Sequence, residues 1–360
     1  MDKKIYASFI SCSLSVLLAG AALLYAGAAS AQFNTGTITL DGANSEAAYV
    51  TSGAYSMAWD DTYLYIRYTG GNQDEPVIFH LDVDPQNPVD GGTNTNGPLT
   101  GQANWGITPT LPFRSDFQVY WESLFAEYRT DNGAGAWNTP VTITTTDRSN
   151  TGTAAREIRI LWTWTGATGR PTSFNFFAYA NSRATPGFMF NQTPGENPGG
   201  ALASPTMNHY WTVSSTANDA NITSPFSRKS YESRASVTMS AANTFWDYTL
   251  GNPGSAVTHT LGASHTIQNQ LYVVANHTLI PQNPGGARTI TFGSVATHTP
   301  TLRCDGTINP NNGAGNDLNM TAAFGTTTIS GTAANTAYRL FSLTVNNGAT
   351  VPAPWRRCLQ

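Results

Sequence analysis

Short runs of alternating apolar and polar residues recur along most of the chain. In residues 63–68 (YLYIRY) the alternation places Leu64, Ile66 and Tyr68 on one side. A period of two is typical of a β-strand with one buried face. Residues 157–164 (EIRILWTW) alternate in the same way, which predicts one strand over their whole length. No segment keeps a helical period for three turns, so the pattern predicts an all-β protein.

The spacing of these runs divides the chain into two regions. Residues 32–232 contain the longer strands and predict an antiparallel β-sandwich. Residues 233–351 contain shorter apolar pulses punctuated by Gly and Asn, which predicts a smaller β-solenoid-like region. A second sandwich is the alternative for this region. Residues 352–360 match neither pattern and are interpreted as a tail.

The N-terminal residues have the pattern of a secretory signal peptide. Lys3 and Lys4 precede an apolar run over residues 9–28, and Ala-Ser-Ala at 29–31 resembles a cleavage site. We therefore expect residues 1–31 to be removed, with an uncleaved N-terminal anchor as the alternative. No later segment is long and apolar enough to span a bilayer as a helix. The expected location is extracellular or on the outer cell surface.

Composition excludes some partners. Only 11% of the residues are charged and the formal net charge is −4. A surface without a basic stripe is a poor ligand for a phosphate backbone, so we expect no nucleic-acid partner. Beyond the predicted signal peptide the cysteines are Cys304 and Cys358, and the sequence does not show whether they pair.

A carboxylate-bearing loop follows the predicted strand at residues 77–83. Asp82 and Asp84 can lie on the same side of the chain because side chains alternate with period two. Together with Asp90 they offer oxygen ligands of the kind that calcium prefers. These three residues are the predicted metal ligands, with calcium as the cofactor. The alternative is that the acidic residues only cap turns that Pro85 stiffens.

Aromatic residues in loops are the second candidate site. Trp105 and Trp137 lie in Gly/Asn-rich segments, where an exposed ring needs a reason. Sugars present flat C–H faces that stack on such rings while polar groups bind at the rim. The predicted ligand-binding residues are therefore Trp105, Trp137, Arg114 and Tyr120, with core packing as the alternative for each tryptophan.

Three short motifs carry a resemblance to a known family. Residues 38–42 (ITLDG), 58–68 (AWDDTYLYIRY) and 81–85 (LDVDP) resemble the family 9 carbohydrate-binding modules and the related DOMON-type sandwiches. The resemblance covers residues 36–232. It implies a two-sheet sandwich that binds sugar on one surface, often with structural calcium, and Asp82 and Asp84 match its acidic strand end. The sugar-clamping tryptophans of that family do not map onto this chain.

Further segments resemble a class of surface proteins. Residues 91–97, 111–121 and 193–200 are similar to segments of large secreted proteins of Bacteroidota-type bacteria, in which such a sandwich precedes β-repeats. From these features the sequence favours a non-catalytic surface protein that binds polysaccharide or another glycan. A purely structural stalk protein is one alternative.

An enzyme is another alternative. The enzyme would be a polysaccharide lyase or hydrolase on the solenoid. A lyase needs a basic residue to remove the proton next to a uronate and a cation to neutralise the uronate carboxylate. The candidates there are Arg288, Arg303, Arg339, Asp305 and Asp317.

A redox protein is the last alternative. DOMON-type sandwiches can hold haem between methionine and histidine. The candidates for that role are Met57, His80, Met207 and His209.

Overall fold

The computed structural model describes residues 38–43, 46, 48–71, 73–85, 97–149, 155–214, 224–250, 256–280, 282–283, 286–287, 289–292, 301–308, 319–322, 328–330 and 342–345. These residues form β-strands and two short 3₁₀ helices, Trp162–Thr165 and Pro225–Arg228. The predicted all-β class is therefore confirmed. The predicted signal peptide, tail and Cys358 lie outside the described residues, as does the Cys304 side chain.

The strands up to residue 233 fall into two antiparallel groups that are described below. They are β1 (Val50–Ser52), β2 (Tyr55–Trp59), β3 (Tyr63–Tyr68), β4 (Val77–Asp82), β5 (Phe117–Trp121), β6 (Ala126–Thr130), β7 (Val141–Thr142), β8 (Arg148–Ser149), β9 (Arg156–Leu161), β10 (Ser173–Asn181), β11 (Phe188–Thr193), β12 (Gly200–Ala201), β13 (His209–Ser214) and β14 (Lys229–Ser233).

Two sheets pack against each other through a single apolar cluster. The first sheet has the order β1-β2-β3-β9-β8, and the second runs β7-β6-β5-β4-β10-β13-β14. The cluster takes Trp59 and Ile66 from the first sheet and Phe79, Val119 and Phe176 from the second. Alternation along each strand is what sends these side chains inward and their neighbours outward.

The outer face of the second sheet is also covered. A second apolar cluster combines Ile78 and Phe177 of the sheet with Ile107, Phe113 and Met207 from the connecting segments. All six residues of β4 are consequently buried. Covering segments fix loop residues against this face, and this placement creates the aromatic surface described below.

The predicted strand over residues 157–164 is wrong at its end. Strand β9 stops at Leu161, and Trp162 begins a 3₁₀ turn that closes on Gly166 in the left-handed region. The turn lets Trp162 donate from Nε1 to the Asp60 carbonyl at 3.0 Å while its ring stays in the core. A buried indole N–H usually has a hydrogen-bond partner, and the Asp60 carbonyl provides it here.

The remaining strands pair in parallel, except that β20 and β21 pair antiparallel with each other. They are β15 (Val237–Met239), β16 (Thr244–Leu250), β17 (Thr258–Leu261), β18 (His265–Val273), β19 (Thr278–Ile280), β20 (Gln282–Asn283), β21 (Gly286–Ala287), β22 (Thr289–Phe292), β23 (Thr301–Cys304), β24 (Thr307–Ile308), β25 (Asn319–Ala322), β26 (Thr328–Ser330) and β27 (Ser342–Val345).

Parallel register links successive turns of this region. Strands β16, β18, β22, β25 and β27 follow one another in the second sheet, and β15, β17, β19 and β24 form another parallel sheet. Thr244 pairs with Thr266, and Val237 pairs with His259. A sandwich built of hairpins would give antiparallel neighbours. The register thus favours the solenoid interpretation of this region over a second sandwich.

Candidate functional site

An aromatic surface lies on the outer side of the second sheet. The side chains of Phe117, Val119 and Trp121 in strand β5 point into the core. Tyr120, which lies between the last two, therefore faces outward. Trp105 reaches the same place from the segment that covers this face. Two of the four predicted ligand-binding residues therefore meet, although they are separated in sequence.

A chain of polar contacts holds these rings. Trp105 Nε1 donates to Tyr120 Oη at 2.6 Å, and Tyr120 Oη donates in turn to Glu122 Oε1. Arg183 closes the group, because its Nη1 lies 3.7 Å from Glu122 Oε2 and its guanidinium lies 5.4 Å from the centre of the Trp105 ring. Burial, reinforced by the contact with Glu122, raises the pKa of Tyr120, so the phenol stays protonated as the donor. We call Trp105, Tyr120, Glu122 and Arg183 the aromatic platform.

The backbone at Trp105 has an unusual conformation. Its φ is 49°, in the left-handed region that bulky residues seldom adopt. The Gly187 N–H donates to the Trp105 carbonyl at 2.7 Å, and Asn104 pairs with Ile107 across the turn. A strained residue persists only where its surroundings fix it, and such residues cluster at functional sites. Here the strain presents a half-buried indole at the surface.

The other two predicted ligand-binding residues take different positions. Trp137 is half-buried against the second cluster and donates from Nε1 to the Thr100 carbonyl at 2.8 Å. Arg114 donates from Nη1 to the Gly97 carbonyl at 3.0 Å. Within the described part of the chain, neither has a polar or ring contact with the platform. Both side chains secure the segment that carries Trp105.

Three carboxylates converge where β4 ends. Ligand oxygens of Asp82, Asp84 and Asp116 all lie within 4.8 Å of one another, and the first and last of these residues are buried. Asn175 donates from Nδ2 to Asp82 Oδ2 at 3.0 Å, and the Val83 N–H donates to Asp116 Oδ2 at 2.8 Å. We call the three aspartates the carboxylate cluster.

Burial governs the charge of this cluster. Burial, together with the neighbouring Asp116 and Asp84 carboxylates, raises the pKa of Asp82 to about 8. Burial likewise raises the pKa of Asp116 to about 7. Like charges held this close disfavour joint ionisation, whereas a divalent cation between them would reverse the effect. An all-oxygen donor set of this kind fits a hard cation such as calcium.

The sequence identified part of this cluster. Asp82 and Asp84 come together as expected, whereas Asp90 lies outside the described residues. Sequence reasoning did not assign Asp116 as a ligand. It directly precedes β5, which pairs antiparallel with β4 so that Phe117 lies opposite Leu81. An acidic residue at the start of the neighbouring strand was the signal that could have found it.

A second acidic group lies on the first sheet. Oxygens of Asp41, Glu46 and Glu157 also lie within 4.8 Å of one another. The Gly42 N–H donates to Glu157 Oε2 at 2.8 Å, and Arg67 Nη1 lies 3.7 Å from Glu46 Oε2. Because Arg67 already supplies positive charge here, this group is a poorer cation site than the carboxylate cluster.

Of the candidate haem ligands, Met57 and His80 are not brought together. Met57 belongs to the cluster between the sheets, whereas His80 stacks on Phe177 on the outer side of the second sheet. The two therefore face opposite sides. His209 Nδ1 is within hydrogen-bond distance of both Tyr231 Oη and Ser233 Oγ.

The enzyme alternative rests largely on residues outside the described part of the chain, namely Arg288, Arg339 and Asp317. Of its described candidates, Arg303 Nη2 lies 2.7 Å from Asp305 Oδ2, and the guanidinium covers the Tyr272 ring at 4.3 Å. Tyr272 Oη also donates to Asp305 Oδ2 at 3.0 Å. This arrangement is an ion pair on an aromatic ring.

Comparisons with other proteins give no family for this chain. Protein-family models, curated proteins and solved structures were each searched, and none matches. Within the described residues, no helix has the length and apolar character needed to cross a bilayer.

Proposed function

We propose that the protein is a secreted, non-catalytic glycan-binding protein whose aromatic platform contacts the sugar. The observation that carries the proposal is the half-buried Trp105 ring, whose backbone lies in the left-handed region and whose Nε1 donates to Tyr120. An indole whose N–H is already bonded recognises a ligand through its face. Glu122 beside the rings and Arg183 over the Trp105 ring can bond to sugar hydroxyls.

Calcium has a structural part in this proposal. It would bind Asp82, Asp84 and Asp116, neutralise the buried carboxylates and fix the strand end. The cluster and the platform both adjoin strand β5, since Asp116 precedes the strand and Tyr120 lies within it. A cation there would stiffen the strand that carries the platform, without taking part in any reaction.

Affinity electrophoresis of the full chain through gels containing soluble polysaccharides tests the function. Wild type should be retarded by at least one polysaccharide, and Trp105→Ala should migrate freely. Tyr63→Ala is the matched control, because Tyr63 is a half-buried ring on the other sheet. Its retardation should equal that of wild type. Free migration of wild type in every gel, with and without calcium, would refute the proposal.

A further inference from the structure

The turn between β5 and β6 exposes two apolar side chains beside the platform. Leu124 is 78% exposed and Phe125 is 41% exposed. The Glu122 N–H donates to the Phe125 carbonyl at 2.7 Å, which closes the turn. Exposed rings that adjoin a candidate site are more informative than isolated ones, because contiguous apolar surface marks a binding region.

Arg148 holds this turn in place from below. Its Nη1 donates to the Ser123 carbonyl at 3.0 Å, its Nη2 to the Leu124 carbonyl at 2.6 Å and its Nε to the Ile143 carbonyl at 3.3 Å. The guanidinium is buried, and charge-assisted hydrogen bonds of this kind are among the stronger ones in proteins. Phe125 is consequently presented from a braced turn.

Three rings, which we call the row, are joined by successive contacts. The Tyr120 and Phe125 ring centres are 6.1 Å apart, and the Tyr120 hydroxyl accepts a hydrogen bond from Trp105 Nε1. Within the described residues no ring contact joins Trp105 directly to Phe125, so Tyr120 lies between them. The ring planes of Tyr120 and Phe125 differ by 59°, so the row is twisted and offers no flat surface.

We propose that this row binds an internal segment of a single, soluble polysaccharide chain, with successive sugars over Trp105, Tyr120 and Phe125. The inference rests on the proposed glycan-binding function and specifies its ligand class. A monosaccharide or chain end would use one ring only, and a crystalline surface would need coplanar rings. Phe125 is then the residue that sets the chain-length preference.

Isothermal titration of the full chain with cello- and xylo-oligosaccharides, from the monosaccharide to the hexasaccharide, tests this ligand class. Wild-type affinity should rise about tenfold between the disaccharide and the trisaccharide, which corresponds to the contribution of one further ring contact. Phe125→Ala should remove that rise and leave monosaccharide binding unchanged. Leu124→Ala, in the same turn but without a ring, should behave as wild type, and microcrystalline cellulose should retain none of the proteins.

Two results would overturn the inference while leaving the proposed function intact. One is equal wild-type affinity for the monosaccharide and the hexasaccharide. The other is a Phe125→Ala variant that weakens every length by the same factor. Absence of binding to any saccharide in titration and in affinity gels would instead reject the glycan-binding function itself.

Discussion

The Trp105 indole and the Tyr120 hydroxyl are joined by a hydrogen bond of 2.6 Å across the outer side of the second sheet. The bond uses the only polar atom of the indole, so the ring can contribute to recognition only through its face. Because Tyr120 Oη also donates a hydrogen bond to Glu122 Oε1, the phenol oxygen has a partner on both sides. The two rings therefore act as one rigid apolar surface with a charged rim.

The two partners of this bond should respond differently to substitution. Trp105→Ala removes the stacking face and should lower glycan affinity at least about tenfold. Tyr120→Phe keeps the ring but leaves the indole N–H unpaired, which should cost ~1 kcal/mol of unfolding free energy and change affinity less. Titration calorimetry and urea unfolding of both variants measure the two effects. A Tyr120→Phe variant that binds worse than Trp105→Ala would contradict this assignment.

The carboxylate cluster predicts a pH dependence of stability in EDTA. The folded-state pKa values of Asp82 and Asp116, about 8 and about 7, exceed the unfolded value of about 4. Between these values the folded state binds more protons than the unfolded state, so the unfolding free energy falls as the pH rises from about 4 to about 8. Urea unfolding across this range, with chelator present, measures the slope.

Calcium should reverse this loss. At pH 8 a saturating concentration, roughly a hundred times Kd, should raise the unfolding free energy by about 2.7 kcal/mol. Asp116→Asn should abolish most of that gain and flatten the pH dependence, whereas Glu127→Gln, on the half-buried β6 strand, should change neither. Wild type with the same melting temperature in calcium and in EDTA at pH 8 would show that the cluster holds no cation.

The sequence predicted periodic features well and long-range placement poorly. Alternation in residues such as Leu64 and Ile66 correctly indicated strands, because a period of two follows directly from strand geometry. Trp162 left the strand pattern because its indole needed an acceptor from a distant turn. Asp116 reached Asp82 through strand pairing, which depends on contacts far apart in the chain and leaves no local signature.

The burial of His80 could not be predicted from the sequence either. It occupies an ordinary polar position in the sequence, yet the structure buries it completely, stacked on Phe177 at 4.8 Å. Neither of its ring nitrogens has a hydrogen-bond partner within the described residues. Burial lowers its pKa to about 3. A neutral imidazole here serves as a flat apolar ring.

Replacing this histidine by a hydrocarbon ring should therefore stabilise the protein. His80→Phe removes two unpaired nitrogens and should add about 1 kcal/mol to the unfolding free energy at pH 7. The gain should grow as the pH falls from about 6.5 towards 3. In this range the His80 imidazole of the wild-type protein is protonated in the unfolded state but not in the folded state. Urea unfolding at pH 7 and pH 4.5 measures both values. A gain that is absent, or that is no larger at pH 4.5, would indicate that His80 has a polar partner.

Gly97 should be the most sensitive glycine in the segment that carries the platform. Its φ is +76°, and a Cβ added there would lie 2.7 Å from the Ser115 carbonyl oxygen, a backbone atom two residues before β5. Gly97→Ala should thus lower the unfolding free energy by roughly 2–3 kcal/mol, from backbone strain and the clash together. Gly133→Ala is the matched control, since its φ is +72° and its added Cβ meets nothing within 4 Å. It should cost about 1 kcal/mol, from the left-handed backbone alone. Equal losses in urea unfolding would mean that the backbone at Ser115 can shift to accommodate the added methyl group. The segment that carries the platform would then be less rigid than the hydrogen bond between Arg114 and Gly97 indicates.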